Sequence, residues 1–326
     1  MKRKISISLS LLQKRHGDLR AVEIAKEIGA DGIDFSLAKE EFGNPDSVYS
    51  KSPEEFAAYY SSIFEKAKEL GLEISQVHGR YWMCCDTAEK TEIAMKNARL
   101  DIMAAHYLHS PYVIFHDLEP HDMSESSTLE VKHQINEMLF CRILEFAKEF
   151  DVKVAMETSS DDESKTFLFG QFVEFQKAYN RICAHEDNRE RFFICVDTGH
   201  SNMAAGLNGN PPVGDVIRQL GSAVACLHLH DNNGASDQHR LPVCGDVDWK
   251  DVFDALDEIG YTGWYNLEPR LTQLRDFGKG FELEYAEFAV KMLRFMLHRR
   301  YGEGCCNYSE MDNSWLSYAK NYDRIN

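Results

Sequence analysis

The sequence predicts an α/β protein folded as a single closed (β/α)8 TIM barrel with a short C-terminal extension, and three observations carry that expectation. Eight short β-rich runs alternate with segments whose apolar residues recur every 3.6 positions. Several of those segments stop at a glycine just ahead of the next run, as helices do when a residue must enter the left-handed conformation. No linker rich in Pro, Gly or Ser breaks the alternation between residues 1 and 300, which assigns that span to one barrel and 301–326 to the extension. An open doubly wound sheet is the competing architecture, but no glycine fingerprint follows the first run.

Taken in order, the strands fall at Ile5 to Ser10, Gly32 to Leu37, Glu73 to Arg80 and Tyr112 to Leu118. Four more follow at Lys153 to Ser159, Phe192 to Thr198, Ala223 to Asp231 and Gly263 to Pro269. Eight helices are expected between and after them. Trp249, Val252, Phe253 and Leu256 show the helical spacing, as do Ala286, Ala289, Val290, Leu293 and Leu297. "EIGADGIDF", "ELGLEIS" and "EIGYTGWYN" place helix stops at Gly29, Gly71 and Gly260. "NGNPPVGD" reads as a turn into a helix whose first turn suits proline. The tail from Tyr301 breaks the rhythm and reads as a packed extension or interface arm.

The chain has 326 residues, 44% of them hydrophobic, enough for a large core. A net charge of −17 repels phosphate backbones and anionic membranes, so nucleic acid and membrane are not expected partners. "MKRKISISLS" lacks the apolar stretch of a signal peptide or spanning helix, which points to the cytoplasm. A homo-oligomer is expected. The nine cysteines are scattered, with adjacent pairs at Cys84-Cys85 and Cys305-Cys306 and no CxxC spacing; they are read as reduced and mostly buried or incidental.

Polar residues gather where a barrel does its chemistry, at the C-terminal ends of strands. The third strand ends with His78, the fourth with His116, the fifth with Glu157, and the sixth with Asp197 followed by His200. The seventh ends with His228 and His230, its loop adds Asp237 and His239, and the eighth ends with Glu268. Six of thirteen histidines thus lie at one rim, none of them where a helix would carry it outward. Strand alternation puts Ala155 and Glu157 opposite Val154 and Met156, and His228 and His230 opposite Leu227 and Leu229. Carboxylates and imidazoles buried together call for a divalent cation. The mixed oxygen and nitrogen set suits manganese, zinc, cobalt or magnesium, with imidazole weighing against pure magnesium or calcium sites. His78 and His116 read either as satisfied core histidines or as groups facing the site. Asp231 reads as structural, capping its loop with Asn232 and Asn233. His106, His109, His133 and His298 fall on helices or helix ends and are expected to be exposed, and "SSDDESK" reads as a solvated loop at the rim.

The ordered strings "VHGRY", "FHDL", "METS", "CVDTGHSNMAAG", "HLHDNNG", "DQHRLPVCGDVDW" and "NLEP" resemble the xylose-isomerase-like barrel superfamily, up to about Arg300. That superfamily contains sugar phosphate isomerases and epimerases, inosose dehydratase and endonuclease IV. The resemblance implies one divalent ion, often manganese, held by Glu157, Asp197, His228 and Glu268; His228 rather than His230 matches because it stands three residues before Asp231. It further implies a ketose or related polyol as substrate, Lewis-acid help to an enediolate, and Glu157 and Glu268 as the acid and base that move a proton. His78, His116, His200, His230, His239 and Arg240 would then bind substrate, with Arg80 and Trp82 shaping the pocket.

The sequence departs from the family pattern where Val243, Cys244 and Gly245 follow Pro242, and where "HGRYW" replaces the commoner "HAPY"; both bear on substrate identity. A second implication is the three-metal set of endonuclease IV, whose types occur here as His78, His116, Glu157, Asp197, His200, His228, Asp237, His239 and Glu268, with Asp237 and His239 as additional metal ligands. A third is a dehydratase or lyase-type sugar enzyme working with a partner subunit. The acidic charge and the absence of a Lys/Arg-rich loop weigh against DNA.

Overall fold

A computed structural model describes residues 3–80, 87–117, 128–160, 170–185, 187–271 and 281–302. Eight parallel strands form one sheet: β1 (Ile5–Ser8), β2 (Gly32–Ser36), β3 (Glu73–His78), β4 (Tyr112–Phe115), β5 (Lys153–Glu157), β6 (Phe192–Asp197), β7 (Val224–His228) and β8 (Tyr265–Leu267). Neighbours in sequence pair in space, β1 pairs with β8, and a parallel bridge between Leu229 and Leu267 closes the cylinder. The expected TIM barrel is therefore the architecture observed.

Ten α-helices among the described residues wrap the barrel: α1 (Ser10–His16), α2 (Asp18–Glu27), α3 (Pro53–Glu69), α4 (Ala88–Tyr107), α5 (Leu129–Glu149), α6 (Phe172–Cys183), α7 (Thr198–Asn208), α8 (Val213–Leu220), α9 (Trp249–Glu258) and α10 (Phe281–Tyr301). Eight were expected. The surplus arises because two connections each hold a pair. Gly17, at φ +81°, separates α1 from α2, and Pro211 with Pro212 prevents α7 from running on into α8. Gly29, Gly71 and Gly260 take positive φ just past their helices, as the sequence implies. The strands also stop one to three residues short of the expected ends, since the chain leaves the ladder at the rim to form loops.

Helix starts follow local chemistry. Ser52 and Glu55 form a reciprocal capping box at α3, with Pro53 in the first turn. The main core lies between strands and helices, where Val154, Met156, Phe192, Val252, Phe253, Ala289 and Leu293 are all buried. Ala155 faces the other way, into a small cluster inside the barrel with Ile114, Cys195 and Cys226, which confirms the alternation read from β5. His133 departs from expectation: it is buried and lies 2.6 Å from Glu174 across α5 and α6, because its helical position faces the neighbouring helix rather than solvent. No described helix is long and apolar enough to cross a membrane. Trp82, Leu118, most of "SSDDESK", and residues 303–326 lie outside the described residues.

Candidate metal centre at the barrel mouth

Glu157, Asp197, His228 and Glu268 come from or directly follow four successive strands, and one ligand atom from each lies within 4.8 Å of the others. His228 Nδ1 is the hub: it stands 2.8 Å from Glu157 Oε1, 3.4 Å from Glu268 Oε2 and 3.9 Å from Asp197 Oδ2. His78 Nε2 and His116 Nε2 approach the other Glu157 oxygen at 3.3 and 3.2 Å. All four central side chains are buried, Glu268 being the most open at 9%.

A second group, His200, His230, Asp237 and His239, meets the same distance limit beside the first. Asp197 connects the two, with Oδ1 2.8 Å from His230 Nε2. His239 Nε2 lies 3.0 Å from Asp237 Oδ2, and its Nδ1 2.9 Å from the Glu268 carbonyl oxygen. His200, just beyond the end of β6 as the sequence implies, lies in the first turn of α7. Asp197 caps that helix by accepting from the His200 amide at 2.7 Å, which turns the ring back toward Glu157, 3.5 Å away. A cleft of about 180 Å³ opens at this end, with Ser8, Ser10, His239, Glu268 and Arg270 among its walls.

Thr158 and Thr198 hold the backbone under these groups. Thr158 Oγ1 accepts from the Asp197 amide at 2.9 Å; Thr198 Oγ1 donates to the His230 carbonyl at 2.7 Å and lies 3.1 Å from its amide, which donates back. Asp231 is structural, as read, accepting from Trp249 Nε1, Val247 N and Asn232 N. Two arginines have partners of their own. Arg80 forms a buried ion pair with Asp101, and Arg240 donates to the Cys244 carbonyl of its own loop. Sequence reasoning missed Asp34, Gln76 and Asn266, polar residues buried inside the barrel beneath the site. Their signal is a polar residue at an inward position of a strand, as in "GIDFS", "ISQVH" and "YNLEP".

Burial disfavours charge on every group here, and mutual attraction overrides it at most of them. The Glu157 carboxyl is buried yet held well below the usual range by the imidazoles of His228 and His116 and by hydrogen bonding from His228 and His78. Asp197 is lowered by His200 and His230 against the same burial. The His228 imidazole is raised well above its usual value, burial being outweighed by Cys195, Glu157 and Glu268. His239 is raised to about 10, against burial, by its bond to Asp237 and by Glu268. His116 goes the other way, burial pushing it down to about 4.

A divalent cation fits this donor set. His230 Nδ1 and Asp237 Oδ1 are buried without a hydrogen-bond partner among the described residues, and the ligand types are those of an oxygen and nitrogen site. The fold and the site together define a parallel barrel carrying carboxylates and imidazoles of metal-ligating type at its C-terminal mouth. The chain belongs to the xylose isomerase-like TIM barrel family, whose model matches residues 22–294. It is 28% identical over 148 residues to the uncharacterized protein MJ1311 of Methanocaldococcus jannaschii, a match covering 44% of this chain and 46% of that protein. The chain spans about half the length of the curated relatives it matches. Among solved structures it resembles a D-psicose 3-epimerase in the presence of D-fructose, with a TM-score of 0.69 at 16% identity over 90% of this chain and 98% of that one. It also resembles the IOLI protein with a bound zinc atom, with a TM-score of 0.69 at 15% identity over 92% and 100%.

Proposed function

We propose that this protein is a divalent-metal-dependent isomerase or epimerase acting on a ketose or related polyol by proton transfer. The observation that carries the proposal is the convergence of Glu157, Asp197, His228 and Glu268 at the barrel mouth. A bound cation, manganese by the family pattern with zinc, cobalt or magnesium as alternatives, would supply Lewis-acid polarisation of a substrate carbonyl. Glu157 and Glu268 then divide the proton work. One carboxylate removes the proton from the carbon next to the carbonyl, and the other returns one. Return to the same carbon from the opposite face inverts it; return to the neighbouring carbon, with the hydroxyl proton passing from one oxygen to the other, moves the carbonyl. His78, His116, His200, His230 and His239 each stand within 4 Å of Glu157, Asp197 or Glu268 and are suited to hold substrate hydroxyl groups, with Arg240 from the loop after β7 as a further substrate-binding candidate. Known structures of similar shape include sugar 3-epimerases, which supports the substrate class.

The test is a panel of ketoses, inositol ketones and keto-glycosides incubated with metal-loaded protein in deuterated water. Carbon-bound deuterium is expected with wild type and lost by a factor of about 10² to 10⁴ in Glu157→Gln and Glu268→Gln. No incorporation across the panel would sink the reading.

The second group, His200, His230, Asp237 and His239, favours one other reading, a multinuclear phosphodiester hydrolase. The charge of −17 opposes it. Two or three ions per chain together with cleavage of an abasic duplex would select it; one ion with deuterium exchange selects the isomerase.

A further inference from the structure

Beneath the cluster the barrel interior carries a second polar layer. Asp34 on β2 is fully buried, and its Oδ2 accepts from Asn266 Nδ2 at 3.1 Å and Gln76 Nε2 at 3.3 Å. Ser6 Oγ donates to Asn266 Oδ1 at 2.9 Å, which leaves the amide NH2 of Asn266 facing Asp34. The same Asp34 oxygen stands 3.4 Å from His228 Nε2, the ring nitrogen away from Glu157. Among the described residues Asp34 is the acidic group within 4 Å of His228 Nε2, and its other oxygen, Oδ1, has no hydrogen-bond partner there. A carboxylate held here by two neutral amides is costly, so the fold places it for more than packing.

We propose that Asp34 is the positioning residue of the metal centre: it receives the Nε2 proton of His228 and so presents the Nδ1 lone pair to the cation shared with Glu157, Asp197 and Glu268. This rests on the metal reading given above. A neutral imidazole has one N–H and one lone pair, and the partner of one nitrogen decides what the other can do. With the proton on Nδ1 the ring would turn an N–H toward three carboxylates and could not ligate. A carboxylate on the far nitrogen also makes the ring a better donor to a metal. Asp34 itself touches neither the proposed cation nor substrate.

The full chain, stripped with a chelator, is titrated with Mn2+ and Zn2+ against a competing indicator, as wild type, Asp34→Asn and Gln76→Leu. Asp34→Asn is expected to bind about 10 to 100-fold more weakly, and Gln76→Leu, which spares the Asp34–His228 contact, within about threefold of wild type. Nitrogen-15 histidine spectra of the zinc-loaded protein supply a readout that packing alone does not move. In wild type His228 should show a protonated Nε2 and a zinc-shifted Nδ1, with the Nε2 proton shifted upfield or exchanging faster in Asp34→Asn. Equal affinities in wild type and Asp34→Asn overturn the proposal and leave the metal reading intact. Equal weakening in Gln76→Leu with His228 unmoved makes the layer merely structural and also overturns it. Ligation of wild type through Nε2 overturns it even if no Asp34 variant folds. A wild type that takes up no ion removes the metal reading and this proposal together.

Discussion

His230 and His239 lie face to face, with ring centroids 3.9 Å apart and planes 15° from parallel, each anchored by a different carboxylate, Asp197 for one and Asp237 for the other. The His239 side of this pair carries a pH dependence. Its imidazole is raised from 6.5 to about 10, against burial, by Asp237 and Glu268. A raised value means a stabilising contribution fully present below pH 6.5 and lost as pH climbs through about 10. The metal-free protein should therefore lose thermal stability between pH 7 and 10. His239→Asn should flatten that part of the profile, as followed by calorimetry.

Gly199 is required by the His230 ring. A Cβ at this position would come within 1.9 Å of His230 Cε1. Gly199→Ala must push His230 away from Asp197, and overpacking of this kind costs about 1 to 3 kcal/mol. Urea denaturation should register that loss, and metal affinity should drop although no proposed ligand has changed.

Asp231 ties the loop after β7 to α9. Three buried donors converge on it: Trp249 Nε1 at 2.8 Å, Asn232 N at 2.8 Å and Val247 N at 3.1 Å. Asp231→Ala strands all three, at a cost of about 3 kcal/mol or more. Trp249→Phe removes one donor and should cost less. Comparison of the two denaturation midpoints checks the order.

Metal uptake should be linked to protons. His228 is raised well above its usual value, despite burial, by Cys195, Glu157 and Glu268, so the proton it holds must leave before it can ligate. Apparent affinity is expected to rise with pH below that value, by about tenfold per pH unit for each proton displaced. Titrations in buffers of different ionisation enthalpy will count the protons released.

The barrel was legible because β-rich runs alternate with helical periodicity and several helices end at a glycine. Gly29, Gly71 and Gly260 mark helix ends that the backbone confirms; strand ends supplied a wider set of polar residues, and the family resemblance narrowed it to Glu157, Asp197, His228 and Glu268. What escaped the sequence depends on neighbours far along the chain. His133 looks like a surface helix residue until α6 brings Glu174 against it. Asp34 looks like an ordinary strand residue, and its meaning appears only when closure brings β7 and β8 across the interior to meet β2. Periodicity reports which face a residue occupies; it does not report which residue stands opposite.

The joint between β7 and β8 is the thinnest in the cylinder. Leu229 N to Asn266 O at 2.8 Å and Glu268 N to Leu229 O at 3.2 Å are the backbone bonds that span it. His228 stands on one bank and Glu268 on the other, so an ion gripped by both would act as a clasp on the whole cylinder. Chelation should then quicken deuterium uptake at the Leu229 and Glu268 amides before it reaches the broader ladder between β5 and β6. The chemistry and the mechanical integrity of the molecule would share a single fastening.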